Sequence, residues 1–437
     1  MESRQNLAVK QGRWGSRLVE GLAVLFSLTG AGTACATNGY FAHGFGVKSQ
    51  GMGGVGIALS QDAMAAATNP AGMALIGDRL DLGLSWARRD ARTTLDSSFG
   101  PYAGDYDGND TQNFFIPEFG YNAMLRSHLS LGVSVFANGG MNTDYSDLNS
   151  KTAGIGVPVG LPAANGIFGT GPAGVDFTQL FVAPTFAMRL DHSHALGVSL
   201  LFAHQVLAVE GLQNFDNAAV SASPGNVTNK GDESSNGWGL RIGWMDRVTP
   251  VVTLGAIYQP RIRMSKLDKY RGLLAEQGGL DIPATCGIGL SVKLTPELTV
   301  AADVQRIKYS DVATFGNSGN VPTQLGADKG PGFGWRDQTI LKLGMSYRYD
   351  KSLTLRGGLN HARQPVPSDE TTLNMLAPVT VENHATVGAT WIVHNRGEFS
   401  LGYTHGFKKT LKGSGVGEGH NISLEGDILG VAYGWKL

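Results

Sequence analysis

From residue 80 onward, apolar and polar residues alternate with a period of two. Leu80, Leu82, Leu84 and Trp86 alternate with Asp81, Gly83, Ser85 and Ala87, and Leu129, Leu131, Val133 and Val135 repeat the pattern. Trp238, Leu240, Ile242 and Trp244 alternate with Gly239, Arg241 and Gly243. About fourteen such segments can be read, each near or somewhat above the ~9–11 residues that a tilted strand needs to cross a bilayer. One face of each segment is apolar, the other small or polar.

The connections fall into two classes. Arg126-Ser127-His128, Asp191-His192-Ser193, Val248-Thr249-Pro250, Thr295-Pro296-Glu297, Asp350-Lys351-Ser352 and Asn395-Arg396-Gly397 have the composition of tight turns. Between them lie long loops near residues 92–111, 140–176, 210–236, 265–281, 309–335, 364–379 and 408–420. Short and long connections alternate strictly, as in an outer-membrane barrel with short periplasmic turns, longer external loops and an even strand number. Closure also satisfies every backbone hydrogen bond in lipid, which an open sheet could not.

The expected fold is therefore all-β, a 14-stranded antiparallel transmembrane β-barrel. Aromatics near the strand ends, among them Trp86, Tyr121, Trp244, Tyr258, Tyr347, Tyr349, Trp391, Tyr433 and Trp435, suit interfacial girdles, with an ordinary sandwich core as the alternative. The last segment, Leu429 to Leu437, resembles the C-terminal signal read by the barrel-assembly machinery, although it ends in leucine rather than the usual phenylalanine.

Composition fits this picture. Charged residues make up 16% of the chain, against roughly 25% in soluble proteins. The formal net charge of -1 offers no basic footprint for nucleic acid. No apolar run after residue 36 approaches the roughly 18 residues of a membrane-spanning helix.

The N-terminus carries Arg4, Lys10, Arg13 and Arg17, then an apolar run from Gly21 to Leu28, then Ala34-Cys35-Ala36. This reads as a cleaved signal peptide, residues 1–36, with the mature chain starting at Thr37. Acylation of Cys35 is the alternative, disfavoured by Gly32 at the position three before it. Without Cys35 only Cys286 remains, so no internal disulfide can form. Export and strands together place the protein in the outer membrane of a Gram-negative cell.

Residues 37–79 form a glycine- and alanine-rich block between signal and ladder, which we read as a hatch inside the barrel of residues 80–437. Its small residues permit close packing, and Asn69-Pro70 favours a turn. The stretches NGYFAHGFG (38–46), KSQGMGGVGIAL (48–59), QDAMAAATNPAGM (61–73) and GVDFTQLFVAPTFAMRL (174–190) resemble the FadL/TodX family of outer-membrane transporters for hydrophobic compounds. The resemblance covers essentially the whole mature chain.

It implies a hatch containing Asn69, Pro70 and Ala71, capture of a long-chain fatty acid or other lipophilic ligand at external loops, a lumen pocket, and lateral release into outer-membrane lipids at a kinked third strand. That strand would run from about His128 to Asn138, with Asn138-Gly139-Gly140 able to supply a bulge. On this reading ligand arrival rearranges the hatch around Asn69-Pro70-Ala71, and transport is facilitated diffusion without a cofactor.

Strand parity turns Glu118, Arg189, Arg241, Arg261, Asp303, Lys342, Arg348, Arg356 and Glu382 toward the lumen. Arg241, Lys342 and Arg356 sit away from strand ends and are candidate contacts for a ligand carboxylate, unless they pair with the hatch. Loop 140–176 holds Ile155, Val157, Val159, Leu161, Ile167 and Phe168, apolar enough for either a capture surface or a lid over the mouth.

Other signals are weaker. Residues 51–56 satisfy GxGxxG but lack the parallel strand and crossover helix of a dinucleotide site. His192, His194, His384, His394 and His405 have no metal-ligand spacing. A barrel hydrolase remains conceivable without a GxSxG elbow, and a general water-filled porin is the stronger rival.

Overall fold

The computed structural model describes residues 38–153, 165–393 and 396–437. The signal peptide, Cys35, and Ile155, Val157, Val159 and Leu161 of the apolar loop lie outside these residues. No described helix is long and apolar enough to cross a membrane.

Fourteen antiparallel strands form the wall: β1 (Arg79–Leu95), β2 (Asn113–Arg126), β3 (Leu129–Tyr145), β4 (Ala173–Arg189), β5 (His194–Glu210), β6 (Glu233–Asp246), β7 (Val252–Gln259), β8 (Thr285–Lys293), β9 (Leu298–Ile307), β10 (Gln338–Arg348), β11 (Leu353–Ala362), β12 (Asn383–Val393), β13 (Gly397–Leu411) and β14 (His420–Lys436). Neighbours in sequence are neighbours in the sheet. β14 pairs back onto β1 from Arg79↔Lys436 to Leu95↔His420, so the sheet is closed. A short segment, Gly104–Asp107, extends the edge of β1 above β2.

The period of two dictates which way each side chain points. Along β6, Trp238, Leu240 and Ile242 are exposed on the outside, whereas Arg241 between them is buried within. Tyr258, Tyr347, Tyr349 and Trp435 are also exposed outward, as a girdle requires. Cys286 is a free thiol, and it too is exposed.

Strands alternate between short turns and long loops, as expected. Five strands outrun the sequence estimate: β1, β3, β4, β5 and β14 each contain 17 residues. The loops carry several short helical turns, which the period-two pattern did not reveal.

Leu240 sits midway along β6 on the lipid face. Leu240→Arg should lower the unfolding free energy of the barrel in vesicles by about 2–4 kcal/mol, measured by denaturant titration, whereas the same change near a strand end should cost about 0–1 kcal/mol.

Candidate functional site: hatch, mouth cavity and open seam

Residues 38–78, from the segment expected as a hatch at 37–79, are built from two one-turn helices and a 3-10 turn rather than from strands, and Arg79 already belongs to β1. Short helices leave backbone N–H groups unpaired. Inward carboxylates of the wall accept them. Glu118 on β2 accepts from Gly46 N and Val47 N at 3.1 and 3.0 Å. Asp303 on β9 accepts from Gly56 N and Ile57 N at 2.8 and 3.1 Å, and Asp81 on β1 from Ala63 N at 2.9 Å. A charge cluster completes the attachment: Lys48 of the hatch meets Glu398 on β13 at 2.6 Å, and Glu398 also binds Arg79 and Lys436.

Asn69, Pro70 and Ala71 dock on β5 and β6. The Asn69 amide donates to the Ile57 carbonyl at 2.6 Å and to the Trp244 carbonyl at 3.0 Å, while its oxygen accepts from Ala71 N at 3.1 Å. One side chain thus ties two parts of the hatch to the wall. A Cβ at Gly197 would collide with the Pro70–Ala71 backbone, and one at Gly243 with the Asn69 side chain, so glycine is what permits this approach. His43, also in the hatch, stays neutral because burial pushes its pKa down to about 4.

The three candidate cations point into the lumen as parity predicted, and each holds the hatch. Arg241 donates to the Ala67 carbonyl and to Gln259, Lys342 to the Gly54 carbonyl at 3.2 Å, and Arg356 to Gln61 at 2.8 Å and Thr390 at 2.7 Å. Arg261 departs from the expectation: β7 ends at Gln259, and Arg261 pairs with Asp281 beyond it. Arg189 and Arg348, the last residues of β4 and β10, are exposed and bond to turn carbonyls. Glu382 precedes β12 and pairs with Lys409.

Two further features belong to the external loops and the wall. The first is a cavity of about 410 Å³ among the external loops, lined chiefly by Phe168, Phe215, Leu273, Leu325, Leu373 and Leu376. Ile167 packs beside it against the main apolar core. Beneath lies an aromatic cluster that sequence reasoning missed, in which Tyr40 of the hatch stacks on Phe315 at 5.1 Å and Phe315 on Trp335 at 5.0 Å. Tyr309 donates to the Asn38 carbonyl at 2.6 Å. The crowding of Tyr309, Phe315, Phe333 and Trp335 in one long loop was the available signal.

The second feature is a gap in the wall. β2 and β3 pair only from Arg126↔Leu129 to Phe119↔Val135. Beyond that point β2 continues to pair with β1 as far as Asn113↔Arg88, and β3 with β4 as far as Tyr145↔Ala173. No ladder pair joins β2 to β3 there. The seam closes again around Asp144, whose N donates to the Gly108 carbonyl at 3.0 Å and whose carbonyl accepts from Asp110 N at 3.4 Å.

Its cause is local. β3 carries a bulge at Asn138, between the pairs Ala137↔Leu180 and Gly139↔Gln179, and a bulge bends its strand and disrupts regular pairing. The freed edge is taken by the hatch: Ala42 N donates to the Asn138 carbonyl at 2.9 Å and Gly140 N to the Tyr40 carbonyl at 3.0 Å. A Cβ at Gly139 would strike the Tyr40 carbonyl.

A family model described as outer membrane protein transport protein (OMPP1/FadL/TodX) matches residues 33–435. The chain belongs to this family. Its members are outer-membrane β-barrels, and the closed barrel described above accords with that. No curated protein sequence matches the chain.

Among solved structures, the chain is similar to the Pseudomonas putida toluene transporter TodX, with a TM-score of 0.67 and 18% identity over 92% of this chain and 100% of that one. The Ralstonia pickettii toluene transporter TbuX gives 0.63 and 20% over 90% and 98%. A Pseudomonas aeruginosa FadL homologue gives 0.66 and 16% over 91% and 99%. At such identity the likeness speaks for the fold.

Glu118→Ala would strip two hatch amides of their acceptor, a loss of about 1–3 kcal/mol for each buried group left unpaired. The hatch should loosen while the barrel stays folded. Sugar flux into reconstituted vesicles should rise, with unchanged heat-resistant migration of the barrel on gels.

Proposed function

We propose that this protein carries hydrophobic compounds inward across the outer membrane by facilitated diffusion. A ligand enters the apolar cavity among the external loops, passes the aromatic cluster beside the hatch, and leaves sideways between β2 and β3. The observation that carries this reading is the open seam above Phe119↔Val135, since an unpaired stretch in a barrel wall is costly in lipid and needs a use.

The physical chemistry of the ligand favours that route. A hydrocarbon chain gains ~0.8 kcal/mol for each CH₂ it buries, so crossing a water-filled pore would forfeit the gain that a sideways exit into lipid retains. A general porin, the rival reading, is disfavoured because the lumen holds a buried hatch tied to the wall by Glu118, Asp303 and Asn69. The family is one of transport proteins, and catalysis forms no part of the mechanism.

Release requires the hatch to let go of β3. The bridge between Tyr40, Ala42 and the Asn138–Gly140 stretch is the element that moves, and Asn69-Pro70-Ala71 is the fixed end about which the hatch rearranges. Its support is the contrast between the two contacts: one is a pair of backbone bonds at an irregular strand, the other a side chain bonded to two carbonyls and seated on two glycines.

Deleting Asn138 should remove the bulge, extend the β2–β3 ladder and abolish accelerated uptake of labelled 1-decanol by expressing cells. Uptake unchanged by a deletion that leaves the barrel folded would reject lateral exit at this seam. Replacing Asn69 and Pro70 together should impair uptake in the same assay without unfolding the barrel. Sugar flux through the wild-type protein without transfer of any hydrophobic solute would instead favour the porin.

A further inference from the structure

The mouth cavity is apolar, yet its ionisable lining has one sign. Asp369 and Glu370 are the charged residues that line it, and no Lys, Arg or His does so among the described residues. Glu370 is buried and already engaged, accepting from the Ser318 hydroxyl at 2.5 Å and from Gly319 N at 2.9 Å. Asp369 is exposed at the rim.

Two side-chain amides in the lining are engaged as well. The Asn320 amide donates to the Asp369 carbonyl at 3.1 Å, and the Gln324 amide to the Ala218 carbonyl at 2.7 Å. Deeper in the lumen the cations are committed: Lys342 and Arg241 to hatch carbonyls, Arg356 to Gln61 and Thr390, Lys48 and Arg79 to Glu398. Arg89 bonds to Asn142, Asn109 and the Gly108 and Thr111 carbonyls beside the seam.

A carboxylate leaving water needs an opposite charge or several donors to replace its hydration. Along this route it would meet two carboxylates and find its natural partners taken. We propose that the ligand captured at the mouth is an uncharged hydrophobic molecule, such as a hydrocarbon or a long-chain alcohol, and that Asp369 and Glu370 discriminate against fatty-acid anions. This deepens the transport reading given above and rests on it.

Uptake of labelled 1-decanol and labelled decanoate, matched in chain length, is compared at pH 8 in a Gram-negative host that lacks a transporter of this family, with and without the protein. Expression should accelerate decanol uptake at least about tenfold more than decanoate uptake, a ratio worth about 1.4 kcal/mol. Asp369→Asn and Asp369→Lys should progressively raise decanoate uptake relative to decanol uptake, since the charge facing the ligand is removed and then reversed. Decanoate accelerated by the wild-type protein as strongly as decanol would overturn the proposal while leaving the transport reading intact. Acceleration of neither solute would overturn both.

Discussion

The structure depends on hydrogen bonds between wall carboxylates and hatch amides. A chain segment buried in a dry lumen brings polar backbone with it, and each unpaired group there costs free energy. One-turn helices are poor at satisfying their own ends. Glu118, Asp303 and Asp81, spaced around the barrel, supply acceptors where the helices lack them. The lumen charges therefore belong to a scaffold as much as to any solute path. Their placement explains why strands that are apolar outside can carry ions inside without strain on the fold.

The same accounting explains the wall. A closed barrel has no edges, and the bulge at Asn138 creates one. Part of that edge is paired by the first residues of the hatch, and the rest faces β2 across the open seam. Hatch and seam are thus two halves of one arrangement. The wall can be irregular there because the hatch supplies backbone partners that β2 does not.

Much of the barrel was legible in the sequence. Period-two patterning sets the inward and outward faces of a strand, so the burial of Arg241 between exposed Leu240 and Ile242 followed from the residues alone. Turn composition and loop length gave the strand number. The asparagine and two glycines at 138–140 pointed to the bulge. What could not be read was how far each inward side chain reaches. Arg241, Lys342 and Arg356 face the lumen as expected, but whether their long side chains meet a ligand or Ala67, Gly54 and Gln61 depends on how the hatch folds. The hatch has no periodicity, since its form is imposed by the wall around it. Phe168 was legible as an apolar loop residue, whereas the cavity it lines draws on loops far apart in the chain.

The attachment points of the hatch also bear on the order of assembly. They run from Asp81 on the first strand to Glu398 on the thirteenth, and the pair Lys48–Glu398 spans 350 residues of chain. A segment that precedes every strand in the chain therefore cannot complete its contacts until the last strands are made. It must be carried unfolded, or loosely held, until β13 and β14 arrive, so the final strands complete the contents of the barrel as well as its wall.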